Sequence, residues 1–297
     1  MNKTAEIITN QFLEAIKTTG KLPWTKPWRT VNVRNATTGR DYNGINVLML
    51  SMFGKDTDFL TFNQAKDNGG MVKAGSKGLR VCFFKFMDKK DGAGNTVMRN
   101  GKVDKWPLLR YSTVFNLSDI DGCEALKAKA DARKKQIEFT PIEACDKLVA
   151  AYSIATNHGA NRASYSPAIH AINMPARESF ASVNHYYATM FHELGHALSK
   201  ELGEDISNGF GDELYSKEEL VAELFANFCL SYAGIDSADL FNNSLAYLQG
   251  WTSKLTSDPT ILISAASKAS KRFNWLLVKA GLKEPAPAIE ETETVAA

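Results

Sequence analysis

Residues 191–198 read Phe-His-Glu-Leu-Gly-His-Ala-Leu, which sets His192, Glu193 and His196 in the order His-Glu-x-x-His. On an α-helix, residues four apart share a face. His192 and His196 can then offer both imidazoles to one metal ion. Glu193, beside His192, leans over the open side of that ion, where a carboxylate can take a proton from an activated water. Zinc suits such a set, because it accepts neutral imidazole with carboxylate and keeps one position open when catalytic. The plainer alternative is a helix with two ordinary core or surface histidines. Its neighbours argue against that: Tyr186, Tyr187, Met190, Phe191, Leu194, Ala197 and Leu198 make the segment strongly apolar. A helix of that kind is buried, and buried histidine and glutamate need partners.

A catalytic zinc usually takes three protein ligands. Residues 215–228 form a second apolar helix in which Glu219 and Glu223 are one turn apart and point the same way. Glu219 is the first choice as ligand, with Glu223 behind it as the carboxylate that orients a histidine. Ser216 and Glu219 also have the spacing of a capping box. If Glu219 closes back onto Ser216, Glu223 becomes the ligand. His170 is an outside candidate. His185 lies two turns before His192, too far for shared ligation, and reads as structural or surface. Tyr186, Tyr187 and Tyr215 carry hydroxyls that could serve an oxyanion, although tyrosines in apolar segments more often simply pack.

The elements that must position these groups fill the second half of the chain. A helix is expected from Pro141 to about Tyr152, then strands at 164–166 and 168–174. The metal helix should run from about Phe180 to Leu202. An edge strand beside it is where a zinc peptidase lays out a peptide. The tail from 285 to 297 is acidic, contains proline and reads as disordered.

The first half has a different character. Residues 1–122 hold 19 Lys+Arg against 11 Asp+Glu, a balance of +8, whereas residues 123–297 hold 16 against 22, a balance of −6. A basic half of this kind suits an anion, most simply nucleic acid, though a solvated basic surface that binds nothing is the alternative. Leu22 to Arg29 places Trp24 and Trp28 among Lys26, Arg29 and two prolines. Aromatic rings with interleaved cations make a platform for unpaired bases; the alternative is that both indoles fill the core. Trp24, Lys26, Trp28, Arg29, Arg34, Arg40, Lys73, Lys77 and Arg80 are the expected contacts to single-stranded DNA. An amphipathic helix is expected over 4–19, capped by Thr4 and stopped by Gly20. Short helices should open within Tyr42–Leu50 and at Thr61, and strands should cover 81–86 and 110–116.

The fold class expected is α+β in two domains. A basic nucleic-acid-binding domain takes 1–122, an exposed helical linker 123–139, and a mostly helical metallopeptidase-like domain with a small sheet 140–284. No stretch approaches about 18 consecutive apolar residues, so no transmembrane helix is expected. The first residues lack the apolar core of a signal peptide. The 4 cysteines are scattered without CxxC spacing. Together these point to a reducing compartment, the cytoplasm.

Several motifs resemble the ArdC-type antirestriction proteins. Tyr42-Asn43-Gly44-Ile45-Asn46, Phe62-Asn63-Gln64-Ala65, residues 69–75 and Val114-Phe115-Asn116 look like the N-terminal domain of that family. Met174-Pro175, Phe180, Tyr186-Tyr187, residues 192–196 and 218–223 look like its zincin-type C-terminal domain. His170 departs from the family pattern, which commonly has an acidic residue there. The resemblance implies protection of incoming conjugative plasmid DNA from host restriction. It also implies a single-stranded-DNA-binding front domain and a metallopeptidase-like back domain. The segment Glu219 to Glu223 is similar to gluzincin-type peptidases, in which the first glutamate of Glu-x-x-x-Glu binds zinc. The expected cofactor is one zinc ion. Beyond single-stranded DNA, the expected partner is a host restriction enzyme or a DNA-bound protein that serves as substrate. A non-catalytic DNA-coating protein with a structural zinc is the competing reading.

Overall fold

The computed structural model describes residues 3–20, 33–99, 101–134, 141–204, 213–237, 240 and 245–284. Trp24, Lys26, Trp28 and Arg29, the end of the expected linker and the tail lie outside the described residues.

In the front half the elements are α1 (Lys3–Thr19), β1 (Arg34–Asn35), α2 (Ile45–Phe53), β2 (Asp58–Thr61), α3 (Phe62–Asp67), β3 (Met71–Val72), β4 (Leu79–Asp88), β5 (Met98–Arg99), β6 (Lys102–Val103), β7 (Lys105–Asn116) and β8 (Ile120–Asp121). The back half holds α4 (Glu124–Lys134), α5 (Pro141–Ala151), β9 (Ala155–His158), β10 (Ser164–Ser166), β11 (Ala171–Met174), α6 (Val183–Glu201), α7 (Glu213–Tyr232), α8 (Leu245–Ser257) and α9 (Thr260–Lys279).

The fold is α+β, with a sheet-rich front and a mostly helical back that carries a small sheet. The front sheet has the order β1-β2-β7-β4. Only residues 114–116 of β7 pair with β2, whereas β4 follows β7 along its whole length, from Leu79 opposite Val114 to Asp88 opposite Lys105. The far part of β4 and β7 is therefore a two-stranded ribbon. In the back half the sheet order is β10-β11-β9. β10 packs on α6 and is an edge strand, as expected beside that helix. β11 starts at Ala171 rather than 168, because His170 sits in a turn with φ +48°.

Local signals explain most helix ends. Gly20 stops α1 with φ +63°, its N–H bonding the Ile16 carbonyl, a left-handed conformation that glycine adopts without strain. Thr4 does not cap α1, which begins one residue earlier; its hydroxyl donates to the Leu109 carbonyl. Thr61 and Gln64 form a complete capping box on α3. The core of Leu60, Ala65 and Leu117 beneath α3 packs this turn against β2.

The main apolar core crosses from front to back. Ile8 and Phe12 of α1 and Leu48 and Met49 of α2 join Leu148, Phe191, Leu194, Phe225, Leu262 and Leu276 in one buried cluster. Phe12 meets Phe53 edge-on at 5.8 Å. At roughly 25 cal/mol per Å² of apolar area, burial on this scale is what holds α6, α7 and α9 in place. Among the described residues no helix is long and apolar enough to cross a membrane.

Candidate metal centre

α6 begins at Ser182, whose side chain accepts the N–H of His185 and also meets its ring nitrogen at 2.8 Å. His185 thus belongs to the helix cap, away from the chemistry, as its two-turn offset suggested. The buried face of α6 includes Tyr186, Met190, Phe191, Leu194 and Leu198. His192 and His196 emerge one turn apart and remain partly accessible.

Gly195 lets α7 come close. A Cβ at that position would lie 3.0 Å from the Ala222 Cα and 3.1 Å from the Phe225 ring. Because only hydrogen stands there, α7 crosses near enough to bring its acidic turn over the two histidines. The helix starts at Glu213, so Ser216 is within it and not its cap.

Among the described residues, His192, His196 and Glu219 form the group that could hold a metal ion, with ligand atoms within 4.8 Å of one another. The two Nε2 atoms are 3.2 Å apart. Glu219 carboxylate oxygens lie 3.3 Å from His192 Nε2 and 3.5 Å from His196 Nε2. Zinc bonds of about 2.0–2.2 Å in tetrahedral geometry separate neighbouring donors by about 3.3 Å. The donor set and its spacings thus fit a small divalent cation. The His192 side chain is 26% exposed and that of Glu219 30%, so the site can be reached from solvent.

Behind His196 stands a buried ion-pair network. Glu218 Oε1 is 3.2 Å from His196 Nδ1. Arg272 of α9, fully buried, donates to both oxygens of Glu218 at 2.7 and 2.9 Å and to the Gly195 carbonyl at 2.8 Å. It also pairs with Glu204. Burial would raise the Glu218 carboxyl, but the His196 hydrogen bond and the Arg272 guanidinium more than reverse this and hold it below its ordinary value. An ionised carboxylate only accepts hydrogen bonds. Nδ1 of His196 must therefore donate to Glu218, which leaves the Nε2 lone pair facing His192 and Glu219.

His192 is pulled two ways. Burial lowers its pKa, whereas the Glu219 hydrogen bond and the charges of Glu193, Glu219 and Glu223 raise it, with a net rise. This excess of carboxylate is what a cation would neutralise. Glu193 is buried next to His192, and Glu223, also buried, acts on His192 through its charge. At His196 the orienting hydrogen bond comes from Glu218, the residue just before Glu219, a role that sequence reasoning assigned to Glu223. Arg272 was missed as well. Its signal was a cation on the apolar stripe of α9, in helical register with Ala265, Ala269 and Leu276.

The hydroxyls of Tyr186 and Tyr187 are engaged elsewhere, and the Tyr215 side chain lies outside the described residues. Tyr186 OH meets His158 Nε2 at 3.0 Å, and Tyr187 OH donates to Asp146 at 2.6 Å. Burial, then Asp146, pushes the Tyr187 phenol up. His170 is held between Tyr152 and Tyr165 at 3.0 and 2.9 Å and is not in the metal group. Of the expected DNA contacts, Arg34 pairs with Asp41 at 3.0 Å, and Lys73 donates to the Ser118 carbonyl at 2.9 Å. Arg40 and Lys77 are exposed. The Arg80 guanidinium lies 5.6 Å from the Tyr111 ring centre.

Comparison with known proteins agrees with both halves. The N-terminal domain of anti-restriction factor ArdC matches residues 2–115, and a zincin-like metallopeptidase domain matches 143–268. The antirestriction ArdC protein from plasmid R388 is similar in structure. Its metal-free form gives a TM-score of 0.71 at 28% identity, over 94% of this chain and 98% of that one. Its Mn(II)-bound form gives 0.68 at 29% identity, over 93% and 97%. Two DNA primases TraC of Escherichia coli are 32% and 31% identical over 92% of this chain. The chain spans only 20% and 27% of their length. The protein y4eC of Sinorhizobium fredii is 26% identical over 91% of this chain and 90% of its own. With an ArdC N-terminal domain joined to a zincin-like metallopeptidase domain, and the R388 protein alike along nearly its whole length, the chain belongs to the ArdC family of antirestriction proteins.

Proposed function

We propose that this chain protects incoming single-stranded plasmid DNA from restriction, holding DNA with its basic front half and carrying a zinc peptidase centre in its back half. The observation that carries the catalytic part is the meeting of His192, His196 and Glu219 at ligand spacing, with Glu193 beside them. His192 and His196 bind through Nε2, and Glu219 supplies a carboxylate oxygen. Glu218 and Arg272 hold the His196 ring in orientation. Zinc, when bound, supplies a Lewis acid for a scissile carbonyl and for water. Glu193 is the general base that accepts the proton and returns it to the leaving amine. β10, an edge strand packed on α6, is placed to pair with an extended peptide. The protein cut would be one bound to DNA or part of the restriction machinery.

The test is plasmid transfer into a restricting host with wild type and Glu193→Ala, after metal content and folding of both are measured. Loss of protection with metal and fold retained makes proteolysis the function. Full protection by Glu193→Ala would contradict it and assign protection to DNA binding alone.

A further inference from the structure

The free part of the β4–β7 ribbon carries side chains that the fold does not use. Residues directly opposite in an antiparallel pair share a face. On one face Phe83 stands opposite Arg110, Lys85 opposite Leu108, and Met87 opposite Trp106. Lys85 and Arg110 are exposed, and neither pairs with a carboxylate among the described residues. Trp106 is 42% exposed and Met87 36%, and Phe86 on the opposite face is more exposed still. Nearer the sheet, Leu79, Val81 and Val114 of the same face fall within or against a packed core. Core burial ends where the cations and exposed rings begin.

Exposed apolar side chains on a ribbon with no further strand beside it among the described residues mark a contact surface. Its charge says what the contact is. Residues 79–116 hold 8 Lys+Arg against 3 Asp+Glu, and the face just described bears cations without an acid from Leu79 to Met87 and from Trp106 to Val114. Rings alternating with unpaired cations match a strand whose bases and phosphates alternate. Duplex DNA hides its base faces and would leave Trp106 without a stacking partner. We propose that this ribbon face is a single-stranded nucleic-acid contact, with unpaired bases stacking on Trp106 and on the edge of Phe83 and with phosphates at Lys85 and Arg110. It rests on the single-stranded-DNA reading of the front half and centres that binding on residues other than the contacts expected from sequence.

The experiment is fluorescence anisotropy of the full chain with a labelled thymidine oligomer of about 20 nucleotides, across a salt series. Trp106→Ala should weaken binding about tenfold and Trp106→Phe far less. Because Trp106 is exposed, the fold should survive, and a thermal melt checks this. Lys85→Ala with Arg110→Ala should lower the slope of log affinity against log salt by about 1.4, the contribution of two single-strand phosphates. If wild type binds the oligomer and all these variants bind equally well with an unchanged salt slope, the ribbon assignment falls while DNA binding stands. If wild type does not bind even at low salt, the front-half reading falls and the ribbon assignment with it. A duplex that competes as well as the oligomer would overturn the single-strand assignment.

Discussion

At the metal centre the candidate ligands are held by partners inside the fold. Arg272 satisfies Glu218 and Glu204, Glu218 fixes His196, and Glu219 spans both histidines. On the β4–β7 ribbon, Lys85 and Arg110 have no acidic partner among the described residues, and Trp106 lies open to water. The two regions face different demands. A metal requires donors fixed to a few tenths of an ångström before it arrives, so buried neighbours must hold them. A flexible strand of nucleic acid, the ligand proposed for the ribbon, brings its own charge and adapts its shape, so cations and rings held ready at the surface would suit it. Preorganisation at one site and availability at the other follow from how each ligand is recognised.

The contrast can be broken most sharply at Arg272. Removing one partner of a buried ion pair costs about 3–5 kcal/mol. Arg272→Met should therefore lower the unfolding midpoint in urea strongly and weaken zinc binding about 10- to 100-fold. Oligomer affinity at a temperature where the variant is folded should not change. Equal losses at both sites would show that the ribbon, too, depends on the buried network. Gly195→Ala comes next, because its methyl would press on Ala222 and Phe225. Such overpacking costs about 1–3 kcal/mol, and displacement of α7 should lower zinc affinity further, as calorimetry would record.

The smallest effect concerns the start of α9, the helix that carries Arg272. Asp258, two residues before α9 begins, accepts hydrogen bonds from the Thr260 backbone and hydroxyl and so acts as a cap, with Pro259 between them. Those Thr260 bonds, followed by the nearby Lys217, hold its carboxyl below the ordinary value despite some burial. Asp258→Ala should cost about 1 kcal/mol at neutral pH. Because the folded-state pKa is lowered, this contribution is present above the unfolded value near 3.9 and disappears as pH falls through the folded one. The gap between variant and wild type in urea unfolding should thus close as pH drops below about 3.9. A constant gap would mean that the side chain acts by packing and not as a cap.

Much of the back half was legible because its signals are local. His-Glu-x-x-His fixes two ligands through helical geometry alone, and the amphipathic α6 and α7 stand out by apolar content. The choice of Glu219 required only that α7 cross α6 near Gly195, which a pattern of small residues hints at. Glu218 and Arg272 were hidden because their meeting depends on three helices separated by up to 77 residues. No periodicity records that distance. The ribbon was hidden for the opposite reason. Val81 to Phe86 and Arg110 to Asn116 read as strands, but their register and the point where β2 stops pairing decide which rings are open. Thr4 shows the same limit at smaller scale: a residue with good capping chemistry is drawn instead to a carbonyl 105 positions away.

The central claim is that Glu219, and not Glu223, completes the metal set. The most direct measurement is zinc bound per chain, by equilibrium dialysis with metal analysis, for wild type, Glu219→Ala and Glu223→Ala. The account predicts one zinc per wild-type chain, an affinity loss for Glu219→Ala of about a hundredfold or more, and a much smaller loss for Glu223→Ala. Undiminished zinc in Glu219→Ala, or its loss in Glu223→Ala alone, would contradict it.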